Sequence, residues 1–202
     1  MFSVGMCWNA DISMKTFLVG VVGIALGAYV GIGFPLLLFC STIVCMQLIE
    51  AVAWTWYDND TVNRYAAYAA SALLWLQPIA AILLIPSFAI KSSFISIYGA
   101  LSVLRYLTRY KTDYSMKRAP NGHLAWNFMQ KDVRSLIELL VYFIFLFTPI
   151  FLTGNIDLLL LGIGTLGISF YSFWRENTWG SMWCWIVNAL VFVLIGKKVL
   201  GP

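Results

Sequence analysis

The chain has 202 residues, of which 61% are apolar and only 11% are charged, and its net charge is +4. A soluble domain carries about 25% charged residues, and this chain has too few polar groups to cover its apolar surface in water. The composition therefore excludes a soluble, disordered, disulfide-rich or nucleic-acid-binding protein. It predicts an all-α polytopic membrane protein whose surroundings are the lipid bilayer.

Seven apolar segments are long enough to cross a bilayer, because a hydrocarbon core of about 30 Å needs about 20 helical residues. They cover residues 15–33, 35–56, 65–86, 88–107, 135–153, 156–174 and 179–198. The first segment is short, and the fourth is rich in serine. The whole chain, 1–202, is thus predicted to be a single transmembrane domain, a bundle of about seven helices.

Small residues recur in the first segment at Gly23, Gly27 and Gly31, which is every fourth position. Such spacing places them on one face of a helix and lets a neighbouring helix approach closely. We interpret this stripe as a packing surface.

The positive charges lie mainly on one side of the predicted bundle. With seven spans, ten Lys and Arg residues fall on the N-terminal side and three on the other. The positive-inside rule then predicts an N-terminus in the cytoplasm or its equivalent and a C-terminus on the opposite side. The long loop 108–134 would lie on the inner face.

Aromatic residues repeat this asymmetry, since eight of the nine tryptophans fall at or near the N-terminal side and only Trp75 lies in mid-span. The pattern indicates either a thick aromatic rim or one strong interfacial anchor. Within the long loop, residues 123–129 are compatible with an amphipathic helix at the membrane surface. His123 is predicted to be a surface residue.

Polar side chains fall at comparable depth in three of the predicted helices, where each must face protein or water because lipid cannot solvate it. They line either a polar cavity or an interhelical hydrogen-bond network. A carboxylate at this depth, beside aromatic rings, would suit a cation or a hydroxyl-rich small ligand. The predicted ligand-binding residues are Gln47, Glu50, Trp54, Gln77, Trp185 and Asn188.

Two further charged positions are interpreted without a ligand. Glu138 lies one turn after Arg134 near the start of the fifth span, which predicts an interfacial ion pair. Arg105 lies near the end of the fourth span, where a long basic side chain is expected to extend towards the membrane surface.

Three short motifs carry a resemblance: Met6-Cys7-Trp8, Met46-Gln47-Leu48-Ile49-Glu50, and Trp183-Cys184-Trp185 followed by Asn188. They resemble motifs of an uncharacterised family of small polytopic membrane proteins from large DNA viruses of algae and protists and from their hosts. The resemblance implies a multi-pass membrane protein, and it implies no particular activity.

A second resemblance concerns internal repetition. An aromatic pair, a charged turn and a returning helix occur both at residues 56–73 and at residues 173–190. This three-one-three arrangement resembles the plan of small sugar and amino-acid carriers of the PQ-loop type. It implies two parallel repeats joined by the fourth span.

No arrangement of catalytic groups is visible in the sequence. The one histidine, His123, lies in a loop, and the four cysteines fit no metal-binding spacing. We therefore expect a non-enzymatic protein, and the sequence identifies no cofactor.

Two functions remain open. One is a membrane protein that binds or transports a small polar or cationic ligand around Glu50. The other is a structural subunit of a virion or organellar membrane complex, with other membrane proteins as partners. A cavity that reaches Glu50 would favour the first function, and a solid bundle would favour the second.

Overall fold

A computed structural model describes residues 9–108, 112–129 and 131–201. The motif at residues 6–8 lies outside the described residues. The elements in chain order are α1 Ala10–Tyr29, α2 Phe34–Thr55, α3 Asp60–Ile82, α4 Phe88–Thr108, β1 Met116–Arg118, β2 Leu124–Trp126, α5 Val133–Leu152, α6 Ile156–Phe173, α7 Trp179–Val187 and α8 Leu190–Leu200. The predicted all-α helical bundle is confirmed.

Side chains just before three helices fix where those helices begin. The Oδ1 atoms of Asn9 and Asn59 each accept a hydrogen bond of 3.1 Å from a backbone N–H of the first turn of α1 and α3. Asp132 Oδ1 accepts the Ser135 N–H of α5 at 2.6 Å. Each cap satisfies a donor that the first turn of a helix otherwise leaves unpaired.

Six helical segments of the described chain are long and apolar enough to cross a membrane. They are α1, α2, α3, α5, α6 and the continuous stretch from α7 to α8. The protein is thus a multi-pass integral membrane protein. Helix α4 has 21 residues but is not among the six, and it carries Lys91, Arg105 and four serines.

The place of α4 follows from its neighbours. Two contacts show that α3 and α5 run parallel. Tyr142 on α5 donates a hydrogen bond to Gln77 on α3. Ser71, which precedes Gln77 on α3, and Glu138, which precedes Tyr142 on α5, are both bonded to Arg105. The chain must therefore return between α3 and α5. Helix α4 makes this return alongside both of them.

Helix α1 runs parallel to α7 and α8 at a constant offset in sequence. A Cβ atom added to Gly20 would lie 3.1 Å from Asn188 Oδ1, and one added to Gly23 would lie 2.7 Å from Val191 Cγ1. The beginning of α1 and the end of α8 therefore lie at opposite ends of the bundle.

The glycine stripe of α1 differs from the predicted one by a turn. The buried glycines are Gly20, Gly23 and Gly27, whereas Gly31 has a φ of +79° and follows the end of the helix. That φ lies in the left-handed region, which glycine adopts without steric cost. The prediction was correct for Gly23 and Gly27, and wrong for Gly31.

The predicted seventh span is interrupted at Asn188. Its side-chain Nδ2 donates to Cys184 O at 2.7 Å, while its backbone N–H turns to Trp185 O at 3.3 Å. The side chain thus takes the carbonyl group that the backbone N–H of residue 188 would bind in a continuous α-helix. The interruption separates α7 from α8.

The segment 123–129 forms no helix, and that part of the prediction was wrong. Residues Met116–Arg118 and Leu124–Trp126 pair as antiparallel strands, joined by a turn in which Gly122 has a φ of +83°. Leu124, Trp126 and Phe128 alternate with more exposed residues and are 1%, 2% and 4% exposed. A period of two places them on one side of an extended chain, which covers the bundle.

His123 is buried rather than a surface residue. It is 7% exposed, and its ring meets Phe173 edge-on at 5.5 Å between centroids. Burial lowers the pKa of His123 from its usual value of 6.5. The sequence-based prediction failed because it treated the loop as open, whereas the hairpin packs against the end of α6.

We call the end of the bundle that carries β1 and β2 the hairpin end. Tryptophans there lie inside the protein: Trp126, Trp179 and Trp183 are 2%, 3% and 5% exposed. Trp179 also stacks on Phe170 with 4.4 Å between ring centroids. Trp56, by contrast, is 55% exposed, so the tryptophans of this end include both core and surface residues.

Candidate functional site

Gln47 and Glu50 lie on the buried face of α2, as their spacing of three residues predicts. They are 0% and 3% exposed, and Gln47 Nε2 donates to Glu50 Oε2 at 3.4 Å. Glu50 is the one fully buried Asp, Glu, Lys or Arg side chain in the described part of the chain. A carboxyl group in this position needs partners from the neighbouring helices.

Helix α7 supplies the opposite wall. The side chain of Ser181 interacts with the Glu50 carboxyl group, and Cys184 lies one turn further along the same face of α7. We call Gln47, Glu50 and Ser181 the Glu50 cluster. Ser181 was not among the predicted residues, although its spacing from Cys184 and Asn188 places all three on one helical face.

Asn188 lies where α1, α2 and α7 meet, further from the hairpin end than Glu50. It is seven residues beyond Ser181 on the chain, which corresponds to about 10 Å along a helix. It is 6% exposed and faces Gly20 of α1 and Val44 of α2. Asn188 therefore makes its side-chain hydrogen bond to Cys184 O and not to Glu50.

Gln77 is part of a different polar contact. Its Nε2 donates to Thr42 O at 3.4 Å, and its Oε1 accepts the Tyr142 hydroxyl. Thr42 precedes Glu50 by eight residues, or about 12 Å along α2. Gln77 thus links α2, α3 and α5 and does not join the Glu50 cluster. Tyr142 was not among the predicted residues, because a single tyrosine in an apolar helix is common and gives no sign of its partner.

The two predicted aromatic walls contact other groups. Trp54 stacks on Tyr57 at 6.3 Å, and the Arg118 guanidinium carbon lies 5.1 Å from its ring centre. Trp185 is 36% exposed, and its Nε1 donates to Thr16 Oγ1 at 3.1 Å. The ring of Trp54 therefore already makes a cation–π contact with Arg118. Trp185 links α7 to α1 through its hydrogen bond to Thr16.

Unpaired oxygen atoms mark the α1–α2–α7 interface. Within residues 9–108, 112–129 and 131–201, Gln47 Oε1, Glu50 Oε1 and Asn188 Oδ1 are buried without a hydrogen-bond partner. A buried acceptor left unpaired costs about 1–3 kcal/mol. Because all three atoms are oxygens, a hydrogen-bond donor or a cation would satisfy them.

A second polar centre surrounds Glu138. Its carboxylate lies 3.2 Å from Arg105 Nε and 3.4 Å from Arg134 Nε, so the predicted pair with Arg134 is present in the structure. The Arg105 side chain is only 16% exposed, because it packs between α3 and α5. The Arg105 Nη2 atom also donates to Ser71 Oγ at 3.3 Å, and its guanidinium group covers the Trp75 ring at 4.6 Å.

A small cavity adjoins this second centre on its inner side. Its volume is about 50 Å³, and Ser71, Ser135, Glu138, Tyr142 and Asn177 contribute its polar lining. This is room for a few water molecules, each of which needs about 10–15 Å³ measured in this way. Neither Gln47 nor Glu50 lines this cavity or the smaller apolar one beside Gln77.

The described residues contain no group of three or more His, Cys, Asp or Glu side chains that could hold a metal ion. Comparison of this chain with models of protein families, with characterised proteins and with solved structures found no match. The geometry of the two polar centres therefore carries the functional argument.

Proposed function

We propose that this membrane protein binds a small cation at the Glu50 cluster and that it serves in ligand binding or transport rather than in catalysis. The observation that carries the proposal is the pair of unpaired buried oxygens, Gln47 Oε1 and Glu50 Oε1, within one cluster. Ionisable groups inside a membrane are costly and are commonly retained on ion or proton pathways.

The chemistry of the cluster selects the ligand class. Between α2 and α7 the Glu50 carboxyl group meets the Gln47 amide nitrogen and the hydroxyl group of Ser181, while Gln47 Oε1 and Glu50 Oε1 are left without a hydrogen-bond partner. Oxygen ligands of this kind suit hard cations, and a carboxylate also accepts a proton. No described cavity is lined by Glu50, so the ligand that fits is of atomic size, a proton or a monovalent metal ion.

The position of the cluster is compatible with transport. Glu50 lies five residues before the end of α2, on the half of the membrane nearest the hairpin end, and Asn188 lies deeper on the same interface. A cation that enters at the hairpin end would meet the carboxyl group first. Further movement requires α1, α2 and α7 to separate, because the interface is closely packed at Gly20.

The test uses the substitution Glu50→Gln, which keeps the shape of the side chain and removes its charge. The full chain is purified in detergent, and its thermal unfolding is followed while sodium, potassium or choline chloride is varied at constant ionic strength. Proton and sodium flux are then measured in proteoliposomes. We expect Glu50→Gln to remain folded and to lose the cation response that the original chain shows.

Glu176→Gln is the matched control, since it makes the same chemical change in the turn before α7. It should retain the full cation response. Equal responses of the original chain and Glu50→Gln, or no response of the original chain to any cation, would contradict the proposal.

A structural subunit of a membrane complex is the second candidate. The observation that favours it is the close packing around Glu50, where the polar side chains join α2 to α7. In that case Glu50→Gln would leave both stability and function unchanged, because a glutamine preserves most of the hydrogen bonds.

A further inference from the structure

An apolar groove runs along the outer surface between α4 and α5, with a volume of about 600 Å³. Its walls include Leu101, Leu104, Ile137 and Val141. Leu104 and Ile137 are 58% and 57% exposed, so the groove opens outward towards the membrane lipid. A volume of about 300–1,000 Å³ is typical of protein sites that hold a small organic ligand.

Among the described residues that line this α4–α5 groove, the charged ones lie at one end. Arg105 is in the last turn of α4, and Arg134 is the second residue of α5. Both guanidinium groups contact Glu138, so the residues that line the groove carry two positive charges and one negative charge. The Arg134 side chain is 47% exposed, against 16% for Arg105, so Arg134 is the more accessible of the two positive charges.

The depth of these charges matches a lipid headgroup. Arg105 and Arg134 lie where α4 ends and α5 begins, at the hairpin end, and the apolar walls extend from there towards the middle of the bundle. A phospholipid has the same polarity along its length, with a phosphate at the membrane surface and acyl chains below it. Arginine suits this contact because its planar guanidinium group can bind a phosphate through two hydrogen bonds.

The charge balance selects one class of lipid. One unit of positive charge in excess favours a headgroup of net charge −1 over a zwitterionic one, and basic pockets between transmembrane helices bind anionic lipids for this reason. We infer that the α4–α5 groove binds an anionic phospholipid, with its phosphate at Arg134 and an acyl chain along Leu104 and Ile137.

The test is native mass spectrometry of the full chain released from detergent with added phosphatidylglycerol, phosphatidylcholine or inorganic phosphate. We expect phosphatidylglycerol to remain bound during delipidation under conditions that remove phosphatidylcholine. Arg134→Gln should weaken its binding about fivefold, the contribution expected of one basic residue near an anionic lipid. Arg64→Gln is the matched control, because Arg64 is an exposed arginine in the second turn of α3, outside the groove.

A second variant tests the apolar part without changing any charge. Leu104→Trp fills the groove and should displace the lipid, whereas Leu160→Trp, at a position of α6 that is 63% exposed, should not. Equal effects of Arg134→Gln and Arg64→Gln, or of the two tryptophan variants, would overturn the proposal. Displacement of the lipid by millimolar inorganic phosphate would also overturn it, because the site would then recognise free phosphate.

Discussion

Asn63 of α3 and Met116 of β1 are joined by two hydrogen bonds: Asn63 Nδ2 donates to Met116 O at 3.0 Å, and the Met116 backbone N–H donates to Asn63 Oδ1 at 2.9 Å. Both residues are buried, with 6% and 2% of their surface exposed. A side-chain amide thus takes the place of a neighbouring strand, and it fixes the hairpin to the beginning of α3.

The first prediction concerns this pair. Asn63→Leu has a similar volume but removes both hydrogen bonds, which leaves the two buried backbone groups of Met116 unpaired. We expect a loss of about 2 kcal/mol or more. Thermal unfolding in detergent measures the loss, and limited proteolysis within residues 112–129 should become faster. Asn63→Asp keeps the acceptor for the Met116 N–H, so its stability should lie between those of the original chain and Asn63→Leu. If Asn63→Leu is as stable as the original chain, the pair does not hold the hairpin.

A second prediction follows from the contact between α1 and α2. In Gly20→Ala the new Cβ would lie 2.7 Å from Val44 Cγ1, closer than such atoms approach, so the helices must shift. The expected cost of this overpacking is about 1–3 kcal/mol. Gly164→Ala on α6 is the control, because nothing lies within 4 Å of its Cβ position. It should be neutral or stabilising by up to about 1 kcal/mol, as alanine is the better helix former. Equal melting temperatures of the two variants would contradict the close approach.

The third prediction is a pH dependence of the hairpin. Because burial lowers the pKa of His123 below its usual 6.5, the exposed form of the hairpin binds a proton more readily than the packed form. Packing is therefore strongest above pH 6.5 and weakens as the pH falls through that value towards the lowered pKa. Hydrogen exchange of backbone amides in residues 116–126 should be faster at pH 5.5 than at pH 7.5, after correction for the intrinsic rates. His123→Phe, which keeps a ring against Phe173 and cannot titrate, should abolish that difference; if it persists, another group is responsible.

The fourth prediction is the orientation in the membrane. The excess of Lys and Arg on the N-terminal side predicts that the hairpin end faces the cytoplasm or its equivalent. A cysteine at position 112, in a chain whose own cysteines are replaced, should react with a membrane-impermeant maleimide only after the cells are permeabilised. Ser87→Cys, in the turn between α3 and α4, should react from outside. The reverse pattern would show the opposite orientation.

Much of the helical architecture was predictable from local signals. Apolar runs of about 20 residues, broken by Gly33, Pro86 and capping residues such as Asn59, place most helices within a few residues of their observed ends. The burial of Gln47 and Glu50 together also followed from the sequence, because a spacing of three residues puts them on one face of a helix whatever its neighbours are.

The partners of each side chain were not predictable in the same way. The position of Gln77 and Asn188 within their predicted spans suggested that both lie near Glu50. The position along a helix does not specify towards which neighbouring helix a side chain points. The register between α2 and α7 instead places Ser181 beside Glu50. The parallel arrangement of α3 and α5 allows Tyr142 to donate a hydrogen bond to Gln77. The contact of Arg105 with Glu138 was unpredictable for a related reason, since the carboxylate belongs to another helix.

The sequence by itself therefore determined the environment of this protein and the approximate position of most of its long helices, because hydrophobicity, helix length and capping are properties of consecutive residues. Only the tertiary structure decided which polar groups meet, that a hairpin rather than a helix covers one end, and where a groove with two arginines opens between α4 and α5. These outcomes depend on rotation, register and packing between segments that are distant in the chain, and a local pattern contains no information about them.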